Sequence, residues 1–134
     1  MNTCSKTPLA RKLGLKTGAT IFVRGAPDHY ANLLDPLPDG VRIVSRMTKS
    51  VDVAHVFADR RAGLKRALTT IRTRMKPSAT IWVSWPKKSA KVPTDLTEDS
   101  IRDIVLPMGL VDIKVCAVDK VWSGLKLVIR RELR

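Results

Sequence analysis

Apolar positions along the chain follow two rhythms. Short, nearly continuous apolar runs fall at Thr20–Arg24, Val41–Val44, Val51–Phe57 and Ala79–Trp85, and glycine or proline flanks all but the third. Runs of that length and composition suit strands covered on both faces. Near the C-terminus the pattern becomes alternating: Val111, Ile113, Val115 and Ala117, then Leu125, Leu127 and Ile129. Alternation gives a strand one apolar face. The link Asp119–Gly124 is short enough to join 111–118 and 125–131 as an antiparallel hairpin.

The intervening segments carry helical spacing. From Asp59 to Met75, Leu64, Leu68, Ile71 and Met75 fall on one stripe. Arg61, Lys65, Arg72 and Lys76 form a second, basic stripe roughly 80° round the same helix. It reads first as a solvated shoulder and second as a surface for a polyanion. Another helix begins at Thr97, where Glu98 and Asp99 suit the helix dipole. Its apolar face is Ile101, Ile104, Val105 and Met108, and Pro107 should end or kink it before Gly109. Two short helices complete the set. One has Thr7 as N-cap, Pro8 in first position and Gly14 past its end; the other runs from Asp28 to Leu34 and is closed by Pro36 and Pro38.

Strands alternating with helices, then a hairpin, predict an α/β fold. The expected form is a Rossmann-like three-layer sandwich: a mostly parallel sheet with a C-terminal antiparallel β-hairpin whose antiparallel strand lies at the edge. One domain is expected over residues 1–134, with 1–6 as a polar tail. The order resembles a reduced class I methyltransferase. That family binds S-adenosylmethionine at a glycine-rich turn after the first strand and has an acidic residue ending the second. Here the turn is Gly25-Ala26-Pro27 and the second strand runs into Ser45-Arg46. With both features missing, the resemblance implies the architecture without the activity, and no cofactor is predicted. The segments TPLARKLG, LLDPLPDGV, DVAHVF, WVSWPKK, TDLTEDSIRD, GLVDIKVCAVD and WSGLK, in that order, also resemble a family of small bacterial proteins known only as a domain of unknown function. That resemblance implies a bacterial cytosolic origin and supplies no catalytic residues.

Charge changes the picture more than composition does. Twenty-five Lys and Arg against twelve Asp and Glu give a net charge of +13. Such a chain associates with polyanions whether or not that is its role, so nucleic-acid association is one reading. No apolar run is long enough to span a membrane. Cys4 and Cys116 carry no disulfide-framework spacing and fit a reducing, cytoplasmic compartment. His29 and His55 have no partner at metal-ligand spacing; His55, inside a strand, reads as a hydrogen-bonded core residue, and Cys116 as a packed strand residue. No metal site is predicted.

Geometry narrows the search for a site. In a parallel sheet the strand C-termini share one rim, and open α/β folds bind ligands there. That rim is expected to carry Gly25, Ser45-Arg46, Ala58-Asp59-Arg60, Trp85 to Lys88 and the hairpin tip with Asp119 and Trp122. Trp85 and Trp122 offer flat faces. Lys87 and Lys88 offer charge for a phosphate or carboxylate. Asp95 and Asp119 offer acceptors, either to those lysines or to a ligand. The leading expectation is a non-catalytic binding module for an anionic ligand or acidic partner. The alternatives are a divergent S-adenosylmethionine-dependent enzyme and a basic nucleic-acid-associated protein.

Overall fold

Each apolar run becomes a strand. The structure, a computed structural model, describes residues 7–134; the tail and Cys4 lie outside that range. The strands are β1 (Thr20–Arg24), β2 (Arg42–Val44), β3 (Val53–Phe57), β4 (Thr80–Pro86), β5 (Leu110–Ala117) and β6 (Trp122–Ile129). They form one sheet in the order β2-β1-β3-β4-β6-β5. β2, β1, β3 and β4 are mutually parallel, and β6 runs antiparallel to both of its neighbours. This is the mixed Rossmann-like sheet expected, with one correction: the antiparallel strand is β6, which is interior, and the edge belongs to β5.

That placement explains a second departure. On β5, Ile113 is 56% exposed and Val115 46% exposed, although alternation assigned both to the core. An edge strand has a neighbour on one side only, and the β5–β6 register shifts between Asp112 and Lys114. The irregularity breaks the inward-outward alternation along β5, so only its ends, Leu110 and Cys116, are buried.

The helices are α1 (Leu9–Lys12), α2 (Tyr30–Leu34), α3 (Arg61–Arg74) and α4 (Glu98–Val105). In α1 the observed N-cap is Pro8, not Thr7, and Gly14 follows the helix at φ +79°. The stripe Leu64, Leu68 and Ile71 of α3 packs with Ile101 and Val105 of α4 on one face of the sheet, against Ala54, Val56, Ile81, Val83 and Trp85. Leu9 of α1, Leu13 just past its end, and Tyr30 and Leu34 of α2 cover the other face, against Ile21, Val53, Phe57 and Trp82. Every fully buried leucine or isoleucine contributes about 1.5–3 kcal/mol. β4 is buried on both faces because it lies between these two cores. Thr97 caps α4 in a reciprocal box with Ser100. α4 gives way to a 3-10 turn over Leu106–Met108, which contains Pro107 and ends at Gly109 with φ +79°, as expected. No helix of the described residues is long and apolar enough to cross a membrane.

Candidate functional site

The strand order reverses between β1 and β3. β1 connects outward to β2, and β3 begins the run in the opposite direction. The ends of these two strands therefore form the crevice in which a doubly wound sheet places a ligand. Gly25 turns there at φ +72°, a conformation few other residues adopt. A Cβ at this position would stand 2.8 Å from the Phe57 carbonyl oxygen, so the turn rests directly on the end of β3.

The hairpin tip reaches back to the same place. Asp119 Oδ1 accepts hydrogen bonds from the backbone N–H groups of Val121 and Trp122, both at 2.8 Å, which builds the turn. Its Oδ2 lies 3.1 Å from Nε2 of His29, in the loop after β1. Burial raises the Asp119 pKa, but hydrogen bonds from Trp122, His29 and Val121 outweigh it, and the net shift is downward. Trp122 is half-buried, its ring edge-on to Phe57 at 5.0 Å. The tip is also tied to β4, where the Lys87 N–H donates to the Val121 carbonyl at 2.7 Å. His29 has a half-exposed ring and a carboxylate beside it; the sequence carried no sign of this, because its partner lies ninety residues away.

The other residues predicted for the rim separate. Trp85 is 7% exposed and belongs to the α3/α4 core, so it offers no face to a ligand. Asp95 is bonded to neither lysine: its Oδ1 accepts from the Arg61 N–H at 2.7 Å and caps α3, whose own N-cap residue supplies no side-chain bond. Such a cap contributes about 1 kcal/mol. Asp119 likewise pairs with His29 and not with a lysine. Lys87 and Lys88 do share a concavity of 290 Å³ at the end of β4, with Thr94, Thr97 and Glu98. Ser45 and Arg46 leave the rim altogether. β2 pairs only with Thr20 to Phe22, so it stops short of the end of β1. The basic stripe on α3 divides as well. Arg72 Nε donates to the Met108 carbonyl at 2.8 Å and Lys76 pairs with Asp52 at 2.6 Å, while Arg61 and Lys65 stay exposed. No group of three metal-ligating side chains forms among the described residues.

Neither a family model nor a curated protein matches the sequence. Solved structures do match the fold. A SAM-dependent methyltransferase from Aquifex aeolicus superposes with a TM-score of 0.62 at 14% identity, over 90% of this chain and 87% of that one. The mitomycin 7-O-methyltransferase MmcR gives 0.66 at 14% identity, over 92% of this chain and 53% of that one. Fibrillarin from Aeropyrum pernix, with natively bound S-adenosyl-L-methionine, gives 0.61 at 12% identity, over 90% and 73%. At these identities the likeness establishes a methyltransferase-like Rossmann fold. It also overturns the expectation that no cofactor need be considered, because the fold is one in which S-adenosylmethionine is found bound.

The rim can be tested against that group. The Gly25 turn suits it, bringing backbone to the switch point with no side chain in the way. Carboxylates for a sulfonium are present, since the exposed Asp28 and Asp59 follow β1 and β3, but the exposed Arg24 and Arg60 stand beside them. The ribose-binding acid has no counterpart, because β2 ends early and turns away with Ser45 and Arg46.

Proposed function

We propose that this chain is an S-adenosylmethionine-binding protein of the methyltransferase fold, with the ligand at the β1/β3 end of the sheet. The observation that carries the reading is the positive-φ glycine turn at the switch point of a sheet shared with methyltransferases. The backbone of Gly25 to Asp28 and the carboxylates of Asp28 and Asp59 are the groups that would hold it. The bound group supplies an electrophilic methyl. His29, with Nε2 directed at Asp119, keeps Nδ1 for the proton that a substrate O–H or N–H releases on methylation.

Isothermal titration calorimetry tests this. Saturable binding of S-adenosylmethionine is expected, weakened at least about tenfold in Asp28→Asn/Asp59→Asn, a loss of roughly 1.4 kcal/mol. A 100-fold excess over Kd should stabilise the fold by about 2.7 kcal/mol. No heat and no change in Tm at millimolar ligand would overturn the reading.

The 290 Å³ concavity beside Lys87 and Lys88 favours a second reading, an anionic ligand at the end of β4. Thermal-shift measurements with nucleotides and sugar phosphates should then show stabilisation that disappears in Lys87→Glu/Lys88→Glu. A response indifferent to that pair would remove this reading and leave the first untouched.

A further inference from the structure

Where β2 turns away from the rim, its following loop meets the last turn of α3. Two adjoining concavities open there, of 370 and 460 Å³, and they share Arg46 and Thr48. Lys49 and Arg74 line the first and Arg42 the second. No acidic side chain lines either one. The loop is held by its own hydroxyls: Thr48 Oγ1 lies 2.8 Å from Ser50 Oγ and accepts from the Ser50 N–H.

The lining sets this groove apart: the concavity between α3 and α4 includes Asp103 and the one at the end of β4 includes Glu98, whereas here four cations stand without an acid. Arg42, Arg46, Lys49 and Arg74 join none of the ion pairs among the described residues. The neighbouring acid, Asp52, is held in its ionised form by Lys76 and the Thr20 N–H, and Lys76 offsets its charge. Four unpaired cations on one concave surface repel one another and focus a positive potential outward.

We propose that this groove, along the β2 edge and the C-terminal end of α3, binds the phosphodiester backbone of a nucleic acid. Three of the four cations are arginines, whose planar forks match phosphate oxygens. The groove's only well-exposed large apolar side chain is Ile43, too little to anchor a lipid surface. The site is separate from the rim and stands whether or not a ligand binds there. It also uses different residues from the α3 stripe that the helical spacing suggested. A sign was present in the sequence: from Gly40 to Val51 there are three cations and no acid.

Fluorescence anisotropy with a labelled 20-base-pair DNA duplex, from 50 to 300 mM KCl, tests the proposal. Arg46→Gln/Lys49→Gln/Arg74→Gln should lower affinity on the order of 100-fold at 150 mM salt and reduce the log–log salt slope by about 3. The matched variant Arg61→Gln/Lys65→Gln/Arg66→Gln removes the same charge from exposed positions nearer the start of α3. It should lose only a few-fold, since screening acts over about 8 Å. Equal losses in the two variants would reduce the effect to bulk charge and overturn the site. So would wild-type affinity in the first variant, or equally tight binding of polyglutamate, which would point to an acidic protein instead. Circular dichroism checks folding. Should the triple variant melt early, the single variants decide instead: each is expected to lose about 5-fold, and wild-type affinity in all three would overturn the site.

Discussion

Acid should unfold this protein in a window set by one buried ring. His55 has no exposed surface. Tyr30 Oη lies 2.7 Å from its Nδ1 and Ser84 Oγ 2.7 Å from its Nε2. Each hydroxyl can donate or accept, so the neutral ring is satisfied in either tautomer. An imidazolium would place a charge against Phe57, 4.3 Å away between ring centres, with no carboxylate facing it. Burial therefore pushes the His55 pKa down to about 3. The unfolded chain, with an ordinary value near 6.5, takes up the proton first. The stabilisation is complete above about pH 6.5 and is lost as pH falls toward 3, at about 1.4 kcal/mol per unit. By pH 4.5 the loss is about 3 kcal/mol, a large share of a typical 5–15 kcal/mol.

Urea denaturation at pH 7.5 and 4.5 measures it, with His55→Gln as the comparison. Glutamine can bond both hydroxyls and does not titrate, so its stability should change little between the two pH values. An equal drop in both proteins would assign the acid sensitivity to other groups. Asp52 and Asp119 do not confuse this window. Their folded pKa values are depressed, so their contributions persist down to about pH 4 and fade only below it.

Trp82→Ala should be the most damaging single truncation. Trp82 is 1% exposed and lies in the core beneath α1 and α2. Its Nε1 donates to the Leu13 carbonyl at 3.2 Å, tying the end of α1 to the central strand. Its ring also fills the space beside Gly124, where a Cβ would stand 3.2 Å from Cε3. Truncation leaves a large cavity and an orphaned carbonyl, costing about 3–5 kcal/mol. For a chain of this length that lowers Tm by on the order of 10–15 °C. Trp82→Phe keeps most of the volume and loses only the bond, so it should fall between. Thermal circular dichroism ranks the three proteins. A Trp82→Ala protein melting within about 3 °C of wild type would contradict the packing described.

What the sequence made legible was local. Ile21, Val53 and Ile81 announce strands because neighbouring apolar residues suffice to identify them, and Leu64, Leu68 and Ile71 announce a helix face for the same reason. The buried, hydrogen-bonded His55 was legible too, since its strand is apolar on both sides. Position within the sheet was not. Ile113 and Val115 have the spacing of core residues and are exposed because β6 takes the inner place. Roles that depend on a distant partner were hidden as well. Asp95 caps a helix thirty-four residues earlier in the chain, and Lys12 Nζ reaches the Ala117 carbonyl across one hundred and five. Ser45 and Arg46 fall on the rim only if β2 runs as far as its neighbour. β2 is three residues long and does not.

The interior seat of β6 has a consequence for biosynthesis. β4 and β5 are made first, yet they never pair with each other. Both wait for Trp122–Ile129, which hydrogen-bonds to each of them. Until that strand leaves the ribosome, β4 presents an open, apolar edge and β5 has no partner at all. Closure of the sheet is therefore a late event, and until it happens the nascent chain is most in need of chaperone protection.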